Sequence, residues 1–251
     1  MSFIVVIPAR FGSSRFPGKP LADIQGKPMI QHTVERAQEA GASRVIVATD
    51  DERIANVAKG FVDVCMTSRD HTSGTERIAE VISREKLIDD AIIVNVQGDE
   101  PFVPAENINQ VAANLSANSD VAIATLATPI IRADEVLNPN VVKVVTNQYS
   151  HAIYFSRAAV PFERDRMLGN PTYANPDLYF RHIGLYAYRA KYVRQYVAYE
   201  PTALEHIESL EQLRALWYGD KIHVDVAQAP PPVGIDTPED LASLLHILSE
   251  R

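Results

Sequence analysis

FIVVIPARFGSSRFPGKPL, residues 3–21, is the stretch from which the fold can be read. Residues 3–7 are a short apolar run rich in β-branched side chains, which reads as a buried strand. The segment that follows, residues 8–21, carries Arg10, Arg15 and Lys19, the glycines Gly12 and Gly18, and two serines, with no acid before Asp23. A strand that empties into a basic, glycine-punctuated loop suits a polyanion. Glycine lets backbone N–H groups approach closely, and guanidinium and ammonium groups match phosphate oxygens. A surface turn with solvated charges is the competing reading of the loop taken alone.

The remainder of the composition makes that loop stand out. The chain has 251 residues, enough for one large domain or two small ones, and carries a net charge of −8. Sequence-independent nucleic-acid binding needs a broad basic face, so this charge argues against it. Cys65 is the one cysteine. It excludes an intramolecular disulfide, suits a reducing compartment, and reads as a buried structural thiol within the apolar run 62–66. The first apolar run is too short for a signal peptide, and no 18-residue apolar stretch occurs. A soluble, cytoplasmic protein is expected.

Working outward, strand and helix signals alternate. A helix is expected from Pro28, at its first position, to about Ala40, with Gly41 ending it. Strands follow at 44–49 (RVIVAT), 62–66, 91–96 (AIIVNV) and 120–126 (DVAIATL), separated by helices at 51–59, 75–87 and 107–115. This rhythm predicts an α/β fold, doubly wound, with a mostly parallel sheet covered on both faces. After residue 128 the rhythm changes. Residues 141–146 and 152–155 read as a β-hairpin, 160–179 as a long ordered excursion, 182–188 as a strand, and 191–199 and 207–218 as helices. The second of these helices is expected to place Ile207, Leu210, Leu213 and Trp217 on one side. Residues 222–226 read as a strand and 230–232 as a stiff connector. A closing helix over 236–249 is introduced by Thr237, Pro238, Glu239 and Asp240.

In an open parallel sheet, ligands bind beyond the carboxyl ends of the strands. The second strand delivers Asp50 and Asp51, which have an adequate role as helix caps. The third delivers residues 68–77. There Ser73 and Glu76 form a capping-box pattern, Gly74 leaves room for a flat ring, and Arg77 stands in a first helical turn where the dipole already places positive charge. An anion would relieve that conflict, and so would solvent. The fourth strand delivers Asp99 and Glu100 after Gly98. A carboxylate facing a polyphosphate loop suits Mg²⁺, and the residues alone do not separate Asp99 from Glu100. Arg157, His182, Tyr186, Glu211 and Gln212 are polar groups on otherwise apolar elements, and individually each reads as structural.

The motif IPARFGSSRFPGKPL resembles the nucleotide-binding signature of the sugar nucleotidyltransferases. Within them it is most similar to the cytidylyltransferases that activate the acidic keto-sugar 3-deoxy-manno-octulosonate (Kdo). ATDDERI (48–54), HTSGTERIAE (71–80), NVQGDEP (95–101), YFSRAAVPFERD (154–165), RHIGLYAYR (181–189), ESLEQLRALWYG (208–219) and GIDTPEDL (234–241) carry the resemblance in order over the whole chain. VPFERD departs mildly from the family pattern, which leaves contacts near Phe162 open.

The resemblance implies one nucleotidyltransferase domain over 1–251, with a nucleotide-binding half (1–127) and a β-rich sugar-binding and dimer-forming half (128–251). It implies that Arg10, Ser14, Arg15 and Lys19 hold the CTP triphosphate and that Arg69, Ser73 and Gly74 face the cytosine and ribose. Asp99 and Asp236 would bind Mg²⁺, with Arg15, Lys19 and Asp99 as the catalytic groups. Arg77, Gln97, Arg157, His182, Tyr186, Glu211 and Gln212 would line the Kdo pocket of a homodimer. The expected reaction converts CTP and Kdo to CMP-Kdo and pyrophosphate, for lipopolysaccharide biosynthesis. A synthetase for amino-Kdo, capsule Kdo or sialic acid, a glycosyltransferase and a non-catalytic nucleotide sensor are the alternatives.

Overall fold

The computed structural model describes residues 1–12, 16–170, 175–230, 234–235 and 237–249. In chain order the first part runs β1 (Ile4–Ala9), the two-residue strands β2 (Asp23–Ile24) and β3 (Lys27–Pro28), α1 (Met29–Glu39), β4 (Arg44–Thr49), α2 (Glu52–Ala58), β5 (Asp63–Met66), α3 (Gly74–Arg84), β6 (Ile92–Asn95), α4 (Ala105–Ala117) and β7 (Ile123–Pro129). The second part runs α5 (Ala133–Leu137), β8 (Lys143–Thr146), β9 (Ala152–Ser156), α6 (Arg164–Met167), β10 (Phe180–Arg189), α7 (Ala190–Tyr196), α8 (Ala203–Glu208), α9 (Gln212–Trp217), β11 (Ile222–Val226) and α10 (Pro238–Ser249).

Among the described residues, one nine-stranded sheet has the order β11-β7-β10-β6-β1-β4-β5, with β8 on β10 and β9 on β8. β6, β1, β4 and β5 are mutually parallel, as are β7 and β11. β1 shows why these runs are continuously apolar. Val5, Ile7 and Ala9 enter one layer with α1, α2 and α4, while Val6 enters the other with α3, α7 and α9. A strand covered on both faces has no solvent side to fill with polar residues. The expected doubly wound α/β architecture is present.

Along that row β10 runs antiparallel to both of its neighbours. It inserts between β6 and β7 and hydrogen-bonds to both. The sheet therefore takes strands from both sides of residue 128. β8 and β9 pair as the expected hairpin. Lys143 is fully buried there, and its ammonium donates to the carbonyls of Asn138 (2.9 Å), Val141 (2.5 Å) and Arg157 (2.7 Å). Burial pushes its pKa down to about 8.

Three expectations are corrected. Pro28 stands at the cap of α1, outside its first turn. The helix read over 207–218 is two helices, because Ser209 adopts φ 51°, ψ 50° and ends α8. Only Leu210 and Leu213 of the expected apolar stripe are buried, while Ile207 is 80% and Trp217 61% exposed. Serine is not a residue that advertises a left-handed turn, so periodicity carried the reading through the break. Finally, Ser73 caps α3 by accepting from Glu76 N (3.1 Å), but the Glu76 carboxylate returns to Thr72 N (2.7 Å) instead of completing the box at Ser73.

Candidate active site

The loop after β1 is closed by its own backbone. Gly18 N donates to Phe11 O at 2.9 Å, with Gly18 at φ 74°. A Cβ on Gly18 would lie 3.0 Å from the Phe11 ring, so the ring occupies the space a side chain would need. On Phe11 the Arg53 guanidinium carbon stands 3.3 Å from the ring centroid, a cation–π contact. Arg53 in turn donates to both oxygens of Asp51, at 2.9 and 2.6 Å, and this pairing holds the Asp51 carboxyl down at about 2.

Lys19 leaves this loop as a buried cation. Its ammonium lies 2.6 Å from Asp99 Oδ2 and donates to Ile235 O at 2.8 Å. Asp99 reaches that position because β6 ends tightly against β1. A Cβ on Gly98 would stand 3.0 Å from Pro8 O, a backbone atom that cannot yield cheaply. The sequence therefore brings an ammonium and a carboxylate to one point beyond the parallel strands. Ser14, Arg15 and Asp236, assigned with them by the resemblance, lie outside the described residues.

At the start of α3, Gly74 lines the cleft with ordinary clearance, since its Cβ would sit 3.7 Å from Pro8 Cγ. Arg69 is exposed in the preceding loop. Arg77 is only 1% exposed. It donates to Thr67 Oγ1, to Ser68 O (3.3 Å) and to Asp50 Oδ2 (3.2 Å). The anion that answers its position in the first turn is Asp50, at the end of β4.

The opposite wall is made by two interruptions of regular structure. β10 slips against β7 between Ile183 and Tyr186, leaving Gly184 and Leu185 as a bulge. Two extra residues keep His182 and Tyr186 on the same face of the strand, and their rings lie 5.3 Å apart. Buried Thr125 of β7 supports the bulge: its hydroxyl is 3.1 and 2.8 Å from the carbonyls of Ile183 and Leu185, and 3.1 Å from His182 Nε2. Burial pushes the His182 imidazole down to about 3, so it is neutral at physiological pH, and holds the Tyr186 phenol well above its usual range. The second interruption is the α8–α9 break, which turns Ser209, Leu210, Glu211 and Gln212 toward β10. Arg157 fixes this turn, donating to the carbonyls of Glu208 (2.6 Å), Pro139 (2.9 Å) and Ser209 (3.4 Å). Burial raises the Glu211 carboxyl above its usual range.

These walls enclose a cleft of about 320 Å³ whose lining includes Arg10, Gly74, Gln97, Tyr186, Glu211 and Gln212. A second hollow of about 360 Å³, lined by Glu100, Arg181, His182 and others, shares Gly184, Tyr186, Leu210 and Gln212 with it. Arg69, Ser73, Arg77 and Arg157 stand outside both linings, as do Lys19 and Asp99. The sequence reading did not single out Thr75, Asn95, Tyr188 and Tyr196, which also line the cleft. Asn95 had a legible signal, as the polar residue inside the otherwise apolar run AIIVNV. Its Oδ1 and the Nε2 of Gln212 are buried without a hydrogen-bond partner. An orphaned buried polar atom costs about 1–3 kcal/mol, so the cleft is built to receive donors and acceptors from elsewhere.

No group of three or more His, Cys, Asp or Glu side chains among the described residues forms a metal cage. Mg²⁺ needs none, because it binds through one or two carboxylates together with phosphates, and Asp99, paired with Lys19, is a carboxylate of the type such an ion would use.

The cytidylyltransferase family model matches residues 4–222. A 3-deoxy-manno-octulosonate cytidylyltransferase of Alteromonas mediterranea is 69% identical over 99% of this chain and 100% of its own length. One from Pectobacterium carotovorum subsp. carotovorum is 57% identical, with 100% of both chains covered. A solved CMP:2-keto-3-deoxy-manno-octonic acid synthetase complexed with CTP superposes with a TM-score of 0.87 at 41% identity, covering 99% of this chain and 98% of its own. A cytidylyltransferase from Leptospira borgpetersenii shares the fold, with a TM-score of 0.63 at 15% identity. This chain belongs to the cytidylyltransferase family, among the 3-deoxy-manno-octulosonate cytidylyltransferases.

Proposed function

We propose that the protein transfers CMP from CTP to Kdo, releasing pyrophosphate, and so supplies CMP-Kdo for lipopolysaccharide biosynthesis. The observation that carries this reading is the lining of one cleft. Arg10, Gly74, Gln97, Tyr186, Glu211 and Gln212 come from well-separated segments of the chain and meet around a single space. The basic loop takes the triphosphate at one end, and the β10 bulge with the α8–α9 turn takes the acidic sugar at the other.

The anomeric hydroxyl of Kdo attacks the α-phosphorus of CTP. The new bond joins that oxygen to phosphorus, the bond to the β-phosphate bridge breaks, and the hydroxyl proton leaves to solvent. Positioning and charge neutralisation supply the catalysis. Lys19 neutralises charge on the departing pyrophosphate, and Arg10 meets an anionic group of a substrate at the cleft. His182, neutral because it is buried, orients through Thr125 and carries no charge into the sugar pocket. Asp99 would hold Mg²⁺, and when bound such an ion would offset phosphate charge and acidify the attacking hydroxyl.

The same reading makes the protein a cytoplasmic homodimer. No described helix is long and apolar enough to cross a membrane. Ile131, Ile153, Phe162, Leu168 and Leu178, all in the second half, are 51–79% exposed, apolar surface of the kind a second copy would cover. Light scattering of the purified chain measures that state, and a monomer at micromolar concentration argues against it.

The test of the function is product identification. With CTP and Mg²⁺ the protein should convert Kdo to CMP-Kdo by mass spectrometry, in preference to amino-Kdo and sialic acid. Preference for either competitor would reassign the sugar.

A further inference from the structure

β6 contains one residue that a strand buried on both faces has no structural use for. Asn95 is 3% exposed and lies opposite Tyr186 of β10 on one side and Val6 of β1 on the other. Its backbone serves the ladder, but its side-chain Oδ1 has no donor. The Tyr188 phenol neighbours the Asn95 and Thr75 side chains. Thr75 Oγ1 in turn donates to Glu211 Oε2 at 3.4 Å. Asn95 thus lines the cleft with a buried acceptor left over.

In the same cleft, Gln212 presents the converse defect, a buried Nε2 without an acceptor. An acceptor and a donor orphaned on one cleft complement a hydroxyl-bearing ligand, because a hydroxyl both donates and accepts. Were Asn95 only filling space, an apolar side chain such as leucine, branched at the same carbon, would do so without an unpaired atom.

We propose that Asn95 is a sugar-specificity residue, whose Oδ1 accepts a hydrogen bond from one hydroxyl of the acidic sugar's polyol chain. This rests on the cytidylyl-transfer reading above. A site built to accept from a substrate hydroxyl discriminates strongly against an analogue lacking it, since the buried acceptor then stays unpaired.

Asn95→Leu, with Asn95→Ala as the smaller companion, is the test. Each variant should lose about 10-fold or more in kcat/KM for Kdo, a loss typical of one buried hydrogen bond. The KM for CTP should change by less than about two-fold, and the melting temperature of the ligand-free Leu variant should equal or exceed the parent's. The 4-, 5-, 7- and 8-deoxy analogues of Kdo complete a cycle. One of them should lose a similar factor with the parent protein and react like Kdo with both variants. Unchanged kcat/KM for Kdo in a folded variant overturns the proposal. So does a loss that falls on CTP, or a deoxy series that stays parallel between parent and variants. A parent protein that releases no pyrophosphate from CTP and Kdo instead overturns the reaction on which the proposal rests, and is told apart by needing no variant at all.

Discussion

The loop end of the cleft and the β10 end are held by different kinds of structure. At the loop end the residues are local and follow regular elements: β1 runs into Arg10 and Phe11, Gly18 closes the loop, and β6 runs through Gly98 into Asp99, which pairs with Lys19 outside the cleft lining. At the β10 end the functional surface consists of departures from regularity, a bulge at Gly184 and a helix break at Ser209, each propped by a distant residue. Thr125 supports the bulge across the sheet, and Arg157 supports the break from the end of β9. The loop end can thus be specified by a motif, whereas the β10 end exists only once the whole sheet has formed.

That contrast predicts where damage will fall. The largest effect is expected for Asp99→Asn, which removes the carboxylate facing the basic loop. Turnover should fall about 10³-fold or more while circular dichroism stays unchanged, and near-normal turnover would remove Asp99 from the proposed metal site. Lys19→Met should follow, with kcat reduced about 10²–10³-fold by loss of the charge that meets the leaving pyrophosphate. Its KM for Kdo should hardly move, and a selective rise in that KM would erase the division between the two ends.

Thr125→Val probes the β10 end at nearly constant volume. Losing the hydroxyl from beneath the bulge should cost about 1–3 kcal/mol in urea unfolding and raise the KM for Kdo more than that for CTP. Equal changes in both would show that the bulge serves the whole cleft. Gly18→Ala is the counterpart at the loop end. A left-handed backbone and the Phe11 ring both oppose a methyl group, so a loss of about 1–2 kcal/mol is expected, with the kinetic effect on CTP.

The remaining prediction is a pH dependence of stability. His182 is neutral in the fold, with its pKa near 3 against an ordinary value of 6.5. The unfolded chain binds a proton below pH 6.5 that the folded chain refuses, so this contribution is complete above 6.5 and is lost as pH falls toward 3. Replacing His182 with Phe should flatten that part of the acid side of the stability curve in urea titrations between pH 4 and 8. A parallel curve would show that His182 is not the group responsible.

The same division explains what the chain reveals when read as letters. Phe3 to Leu21 disclosed both a strand and its basic loop because strand, glycine and cation are neighbours in sequence. β10 was legible as a strand, but its antiparallel place between β6 and β7 was not, since nothing in HIGLYAY states which partners it takes. The bulge escaped because Gly184 lies within an otherwise regular apolar pattern. The break escaped because Ser209 carries the left-handed turn that glycine usually marks. Arg77 was noticed for its conflict with the helix dipole, while Asp50, which answers it, lies 27 positions away in sequence. Asn95 was passed over inside a strand read as apolar, and its unpaired oxygen becomes meaningful only beside Gln212 and Tyr188.

The central claim is that one cleft joins a nucleotide end to an acidic-sugar end for a single transfer. Pyrophosphate release by the purified protein, measured with CTP alone, Kdo alone and both together in Mg²⁺, tests it most directly. One pyrophosphate should appear per CMP-Kdo formed, and none from either substrate by itself. Release from CTP without sugar, or no release from the complete mixture, would contradict it.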